Sequence, residues 1–379
     1  MQEYKKICFW IVTLLCLLVL VSCAQKEELA VPEEELLVGV KIYDHAGSFP
    51  ELFEEWRSLG INTALVSASL ISDQEFRSLA KKNNIATFVI IPIFYNPEEL
   101  EKRPDLFAIT ETGKKANEEW VSFICPSRQD YSSQRVEYVK NLVRDYDPEG
   151  ISLDFIRYFV YWEKVYPDRT LSSLSNTCFD SYCLEGFQKA SKIKIPQKLA
   201  ETSEKASWII ENHLPEWTEW KCQVITSMVK AFSEAARKIK PGIKINAHTV
   251  PWRKEDFGGA MKIIAGQDLA QIATHADYLS PMCYHHMVMR NTSWIQSVVE
   301  DVYRLTQHRV IPSIQVKEAY IDKTLTQTEF RDSLVEALKP PSKGVVFWSW
   351  ESLANSPGKK ELIKEVLESR NLSSKQMLF

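Results

Sequence analysis

Eight short runs of apolar and β-branched residues punctuate the chain, and most are followed by a stretch whose apolar positions recur every three or four residues. The runs cover residues 37–43, 63–68, 87–93, 150–156, 243–250, 278–284, 310–316 and 344–350. Several, such as ATFVIIPIF and GVVFWSW, are hydrophobic almost throughout, which suits strands buried on both faces rather than a half-solvated antiparallel sheet. Helical periodicity covers 49–59, 73–82, 134–146, 220–239, 267–275, 294–307 and 326–338. Lys-Lys-Asn-Asn before Ile85 and Lys-Pro-Gly before Ile243 read as helix stops leading into strands. Strand and helix in alternation build parallel sheets, so the pattern predicts an α/β fold, a (β/α)8 barrel occupying residues 37–379. Two connections are long, 94–149 after the third strand and 157–242 after the fourth, the latter holding an insertion at about 157–219. Both leave strand C-termini, the barrel face where βα loops build sites.

With 379 residues, 45% hydrophobic and 25% charged, the chain has the composition of a globular protein with a substantial core. Length alone would suggest two domains, but barrels of this class reach that size as one. The net charge of −4 excludes a nucleic-acid partner, because phosphate binding needs a concentrated excess of Lys and Arg and only scattered basic pairs occur.

The first 22 residues read as a targeting segment, with Lys5 and Lys6 before an apolar run from Ile7 to Val21 that is short for a membrane span. It ends in Leu20-Val21-Ser22-Cys23, which resembles the lipobox of bacterial lipoproteins, where cleavage before the cysteine leaves its thiol to carry diacylglycerol. An ordinary signal peptide, or a short anchor helix with a coincidental cysteine, is the plainer alternative. Residues 23–36 form a polar, glutamate-rich tether. The resemblance implies an exported bacterial lipoprotein held to a membrane through Cys23, at the outer membrane or cell surface. Lys26-Glu27-Glu28 also resembles an acidic surface-export signal, with a charged linker as the alternative. Beyond Cys23 five cysteines remain, Cys125, Cys178, Cys183, Cys222 and Cys283, so at least one thiol stays free. Cys178 and Cys183 are the best disulfide candidates. No metal site is expected there, since no histidine lies at ligand spacing, and no cofactor motif appears.

Polar residues at strand C-termini should converge on one mouth. Asp154, near the end of the apolar run GISLDF, is the strongest candidate, because an uncompensated charge there would be costly; a mere pairing with Arg157 is the structural alternative. The fifth strand ends in His248 and leads to Trp252. The sixth gives Tyr284, His285 and His286, the seventh Gln315 and Glu318, and the eighth Trp348, Trp350 and Glu351. Asp44 and His45 follow the first strand, where such a pair can also be only a turn. Carboxylates, amide, imidazole and flat rings suit sugars, whose rings offer apolar faces for stacking and a rim of hydroxyls. Trp350 is as much a packing residue as a sugar platform on this reading, and strand alternation points Trp348 toward packing.

In Trp120-Val-Ser-Phe-Ile-Cys-Pro126, Asp147-Pro-Glu-Gly-Ile-Ser-Leu-Asp-Phe-Ile-Arg-Tyr158 and Asp277-Tyr-Leu-Ser-Pro-Met-Cys-Tyr284, the chain resembles bacterial TIM-barrel glycosyl hydrolases related to the glycosyl-hydrolase-like 10 group, near the α-amylases and chitinases. The strand carrying Asp154 is similar to the fourth strand of α-amylases, which implies a nucleophile's role for it. Ser152 stands where amylases place an arginine, and no glutamate ends the fifth strand. Ile156 occupies the position of the catalytic glutamate of family 18 chitinases, which excludes that chemistry. The stretch from Cys178 to Phe187 resembles a cysteine-rich insert of related hydrolases, with Asp180 in place of one cysteine, a departure that argues further against a metal.

Glycoside hydrolysis needs one carboxyl to protonate the leaving oxygen and another to attack or to activate water. Asp154 supplies one, and the partner is open among Glu318, Glu351 and Asp256. Glu318 is favoured as the acid, held protonated by an apolar setting. Arg157, Tyr158, His248, Trp252, Tyr284, His285, Gln315, Asp44, His45 and Trp350 would then contact an oligosaccharide or polysaccharide. The rival reading is a surface glycan-binding lipoprotein whose barrel lacks catalysis. An esterase or deacetylase is disfavoured by the absence of a Ser nucleophile elbow and of a His-x-x-x-His pair.

Overall fold

The computed structural model describes the backbone of residues 36–376 and side chains as far as residue 370. The targeting segment, Cys23 and almost all of the tether fall outside the described residues.

All eight anticipated strands form. They are β1 (Leu37–Ile42), β2 (Thr63–Val66), β3 (Ala86–Pro92), β4 (Gly150–Asp154), β5 (Lys244–Thr249), β6 (Tyr278–Pro281), β7 (Ser313–Gln315) and β8 (Gly344–Trp348). Parallel ladders join β6-β5-β4-β3-β2-β1-β8-β7 in that order. The remaining gap is closed by single parallel bridges, Leu279 to Val310 and Met282 to Ser313. Strand β7 is shorter than its apolar run because Pro312 has no N–H to offer a ladder. The barrel is nonetheless sealed there by the N–H of Ile311 on the carbonyl of Leu279, at 2.9 Å. This is the predicted (β/α)8 TIM barrel.

Helices cover the outside, and their apolar stripes explain why. Phe49–Ser58 starts at a Ser48 cap with Pro50 in its first turn, and buries Leu52, Phe53 and Trp56 against the sheet. The helix expected at 220–239 begins much earlier, at Thr202, and runs to Ile239 with non-helical dihedrals at His213, two residues before the interior Pro215. That proline breaks the periodicity and hides the first half from a sequence reading.

Inside the barrel the layers differ. Toward the strand N-termini the interior is apolar, with Leu65, Phe88, Ile90, Ile311 and Val346 in one cluster. Toward the C-termini it turns polar. Lys41 lies level with Trp348, Pro92 with Asp154, and His248 with Ser280. The long insertions stand over this end: a short hairpin at 117–122 after β3, and after β4 two 3-10 turns, the helix Ser181–Ser191 and the start of the long helix.

Candidate functional site

Asp154 is the last residue of β4, and the chain turns sharply after it. Phe155 adopts φ of 50°, a left-handed conformation that is uncommon for a side chain of this size. Its N–H donates to Asp154 Oδ1 at 2.8 Å, which fixes the carboxylate. Its ring stacks on Tyr95, centroids 4.8 Å apart. Lys41, on β1, brings its Nζ to 4.0 Å from Asp154 Oδ2 and donates to the hydroxyl of Tyr284 at 3.4 Å.

Burial alone would raise the carboxyl of Asp154, but the fields of His248, Lys41 and Arg157 and the Phe155 N–H outweigh it and hold it below the usual carboxylate range. His248 is itself pushed down to about 3 by burial and by Lys41, against a pull from Asp154. Burial draws Lys41 and Arg157 down as well, against a pull from Asp154 on each and from Glu163 on Arg157. Below them runs a buried chain: Ser280 Oγ donates to Asn246 Oδ1, Asn246 Nδ2 donates to Ser152 Oγ, and Ser152 lies 2.9 Å from His248 Nε2. Ser152 accepts from Asn246, and its hydroxyl is free to donate to a neutral His248 Nε2.

Asp154 opens onto two adjoining cavities. The smaller, about 130 Å³, is floored by Lys41, Asp154 and Arg157 and walled by Glu163, Tyr284 and Trp348, with Trp120 and Tyr320 at its exposed rim. The Trp348 and Tyr284 rings stack at 4.5 Å with 15° between planes, and Trp120 Nε1 donates to Tyr320 Oη at 2.9 Å. The larger, about 580 Å³, shares Tyr43, Asp154 and Phe155 with the first and extends past Tyr95, Arg135 and Tyr138.

Glu163, in the 3-10 turn Trp162–Lys164, is the second carboxylate of the small cavity. It is 7% exposed, and its Oε2 is buried without a hydrogen-bond partner. Burial pushes its carboxyl up to about 7, with Asp154 adding to the rise and Arg157 opposing it. Arg157 itself is buried, its guanidinium 4.7 Å above the Phe123 ring.

Of the residues singled out from sequence, Asp154, Arg157 and Tyr284 meet here. The other residues given a site role there do not line either cavity. Glu318 was expected in an apolar setting as a protonated acid. Its carboxylate instead accepts from the Leu325 N–H and lies below its ordinary value, mainly through a backbone hydrogen bond at its own residue. Glu351 is exposed and caps the turn after β1, accepting from the N–H groups of Tyr43 at 2.7 Å and Asp44 at 3.3 Å. Asp256 is engaged by Arg253 at 2.7 Å. Asp44 accepts from the His45 N–H in a turn, and His45 stacks on Phe49. His285 and His286 both meet Glu329, at 3.2 and 2.7 Å. Gln315 bridges the Met287 N–H and the Lys317 carbonyl. Tyr158 is fully buried, with Lys221 Nζ over its ring, and Trp252 packs on Phe257. His248 is buried beside Ser152, 2.9 Å from its Oγ.

Of the two tryptophans at the end of β8, Trp348 departs from the packing role expected of it, and Trp350 takes the packing one of its two. Trp348 faces the cavity, while Trp350 starts a helix and packs edge-on against Trp56, 5.7 Å away. The strand ends two residues sooner than its apolar run, so alternation does not extend to Trp350. Sequence reasoning missed Lys41, Glu163 and Trp348. The signal that found Asp154, a charge closing an apolar run, also fits Lys41 in LVGVKI and Glu163 after FVYW.

The cysteine expectation is also corrected. Cys125, Cys178, Cys183, Cys222 and Cys283 are all free, buried thiols. Cys183, in the first turn of its helix, faces Cys125 rather than forming a bond to Cys178, with the two sulfurs 3.4 Å apart.

No family model matches the chain, and no curated protein resembles it in sequence. Solved structures do. The glycoside hydrolase domain of PgaB (BpsB) from Bordetella bronchiseptica aligns with a TM-score of 0.65 at 13% identity, over 87% of this chain and 98% of that one. The β-galactosidase of the psychrophilic Marinomonas ef1 aligns at 0.66 and 11% identity, over 90% of this chain and 60% of its own. Gan42B, a GH42 β-galactosidase, aligns at 0.62 and 13%, over 89% and 57%. The chain thus spans somewhat over half the length of these galactosidases. At such identities the likeness is one of fold, a TIM barrel shared with glycoside hydrolases.

Proposed function

We propose that the chain is a glycoside hydrolase acting on an oligosaccharide or polysaccharide, with Asp154 and Glu163 as its carboxylate pair. One observation carries the reading: two carboxyls share a cavity under opposite settings, Asp154 ionised beside Lys41 and Arg157, Glu163 pushed up to about 7 in a dry wall. Glu163 donates its proton to the departing glycosidic oxygen. Either Asp154 attacks the anomeric carbon and a water deprotonated by Glu163 then cleaves the glycosyl–Asp154 ester, or Asp154 deprotonates a water that attacks that carbon, after which Asp154 yields the proton to solvent and Glu163 takes one back. The stacked Trp348 and Tyr284 wall offers an apolar face to a sugar ring, and Trp120 a second one at the rim. The glycoside hydrolase names of the fold's solved relatives agree with this assignment.

On the sequence pattern alone we also place the chain outside the cytoplasm, tethered through a lipid on Cys23 at the outer membrane or cell surface.

The test is turnover on a panel of bacterial and host glycans by wild type, Asp154→Asn and Glu163→Gln. Product release by wild type and its loss in both variants supports hydrolysis. Equal saccharide affinity in all three with no turnover in any replaces it with the glycan-binding reading.

A further inference from the structure

Away from the mouth, Cys125, Cys178, Asp180 and Cys183 bring one ligand atom each to a single point, all four within 4.8 Å of one another. We propose that they form a structural metal site for one zinc-class divalent cation, bound by three thiolates and Asp180 Oδ2. The site pins the insertion after β3 to the insertion after β4. It does not rest on the hydrolase reading.

The spacing fits a tetrahedral ion. With Zn–S bonds of about 2.3 Å, sulfur pairs lie roughly 3.8 Å apart; Cys125 and Cys183 stand at 3.4 Å, far beyond the ~2.05 Å of a disulfide. The two oxygens of Asp180 divide the work. Oδ1 caps the helix Ser181–Ser191, accepting from the Cys183 N–H at 2.7 Å, while Oδ2 is buried with no hydrogen-bond partner. A carboxylate oxygen left bare beside three sulfurs is costly without a cation.

The surroundings suit thiolates. The Ile109 N–H donates to Cys178 Sγ at 3.2 Å, and the Ser127 hydroxyl lies 3.2 Å from Cys183 Sγ, where it can donate to the ionised form. Three thiolates and a carboxylate leave net negative charge around a divalent ion. Lys221, wholly buried, donates to Asn176 Oδ1 at 2.8 Å, two residues before Cys178. Soft sulfur donors favour zinc over magnesium or calcium, and binding expels the thiol protons to solvent. The spacing within 178–183 could not reveal this site, because its third sulfur comes from 58 positions before Cys183, in the other insertion.

The consequence is mechanical. Cys125 ends the segment that carries Trp120 and Phe123, and the other three ligands open the helix of the insertion that carries Arg157 and Glu163. The metal would hold the cleft's two walls in register.

The experiment takes the full chain purified without chelators, measures its metal content and reactive thiols, then strips it and titrates it with Co2+. One ion per chain, a thiolate-to-cobalt charge-transfer band and release of about three protons per ion are expected. Asp180→Asn keeps all three sulfurs and should weaken binding by roughly tenfold or more, while Asp180→Cys tightens it and Cys222→Ser changes nothing. A metal-free wild type that gives no cobalt band, a Cys125–Cys183 disulfide in the purified chain, or equal affinity in Asp180→Asn would each overturn the proposal.

Discussion

Glu163 shares its cavity with Asp154 yet is held toward the opposite protonation state, its carboxyl pushed up to about 7 while that of Asp154 sits below the ordinary range. If these are the acid and its ionised partner, the rate needs Glu163 protonated. The pH profile should then fall above about 7, and its acid limb should lie below the usual carboxylate range. Glu163→Gln should lower kcat by about 10²–10⁴-fold and remove the alkaline limb. Glu318→Gln should leave kcat essentially unchanged. A normal rate in Glu163→Gln, or a collapse in Glu318→Gln, would return the acid to the loop after β7.

The same carboxyl makes a prediction about stability. Its folded value is raised above the unfolded one of 4.5, so the native state binds the extra proton between those limits. The contribution is fully present below pH 4.5 and is lost as pH rises through about 7. Glu163→Gln removes that loss, so the variant should gain on wild type across this window, approaching an upper bound of about 3 kcal/mol at pH 8. Thermal melts of both proteins at pH 4 and pH 8 measure it. A variant that is inactive but more stable at high pH is the signature of a strained functional group rather than a structural one.

The two tryptophans of the last strand should separate cleanly. Trp350 is buried against Trp56, and truncation to alanine should cost about 3–5 kcal/mol. Any folded Trp350→Ala should keep a normal KM. Trp348→Ala removes a ring from the cavity wall and should raise KM with a smaller change in Tm. Denaturation curves and Michaelis constants on the same preparations decide it, and a raised KM in the Trp350 variant alone would reverse the assignment.

The barrel was legible because the strands are buried on both faces and largely apolar, a pattern that survives without any knowledge of partners. Strand ends were legible less well: Pro312 shortened β7, and the apolar run of β8 continued into a helix, which displaced Trp350 from the mouth. The site was legible only where it sits on the scaffold. Asp154 is fixed by strand register, whereas Glu163 and Trp120 arrive on insertions whose course no periodicity encodes. Glu318, Glu351, Gln315 and His285 lie off the two cavities for one shared reason. Each polar group at a strand end was treated as facing substrate, but loops also carry orphaned N–H groups, and these side chains satisfy them or pair with a neighbour.

Lys41 supplies the last test. Its amine, drawn down by burial and restored in part by Asp154, stands 4.0 Å from that carboxylate. Lys41→Met retains the bulk of the stem but takes away the charge, leaving Asp154 with Arg157 and a neutral His248. The carboxyl should then rise, since desolvation is no longer offset to the same degree. The acid limb of the rate should therefore move to higher pH while the alkaline limb set by Glu163 stays in place. Stability should follow the same sign: the folded value of Asp154 is depressed, so its contribution is present above the unfolded range and disappears as pH falls through the folded value. Removing Lys41 shrinks that contribution but also lifts the cost of burying an amine, so the stability difference between Lys41→Met and wild type should shift in the variant's favour as pH falls through the Asp154 range. An acid limb that does not move would mean that His248, the Phe155 N–H and Arg157 hold the charge on Asp154 without Lys41.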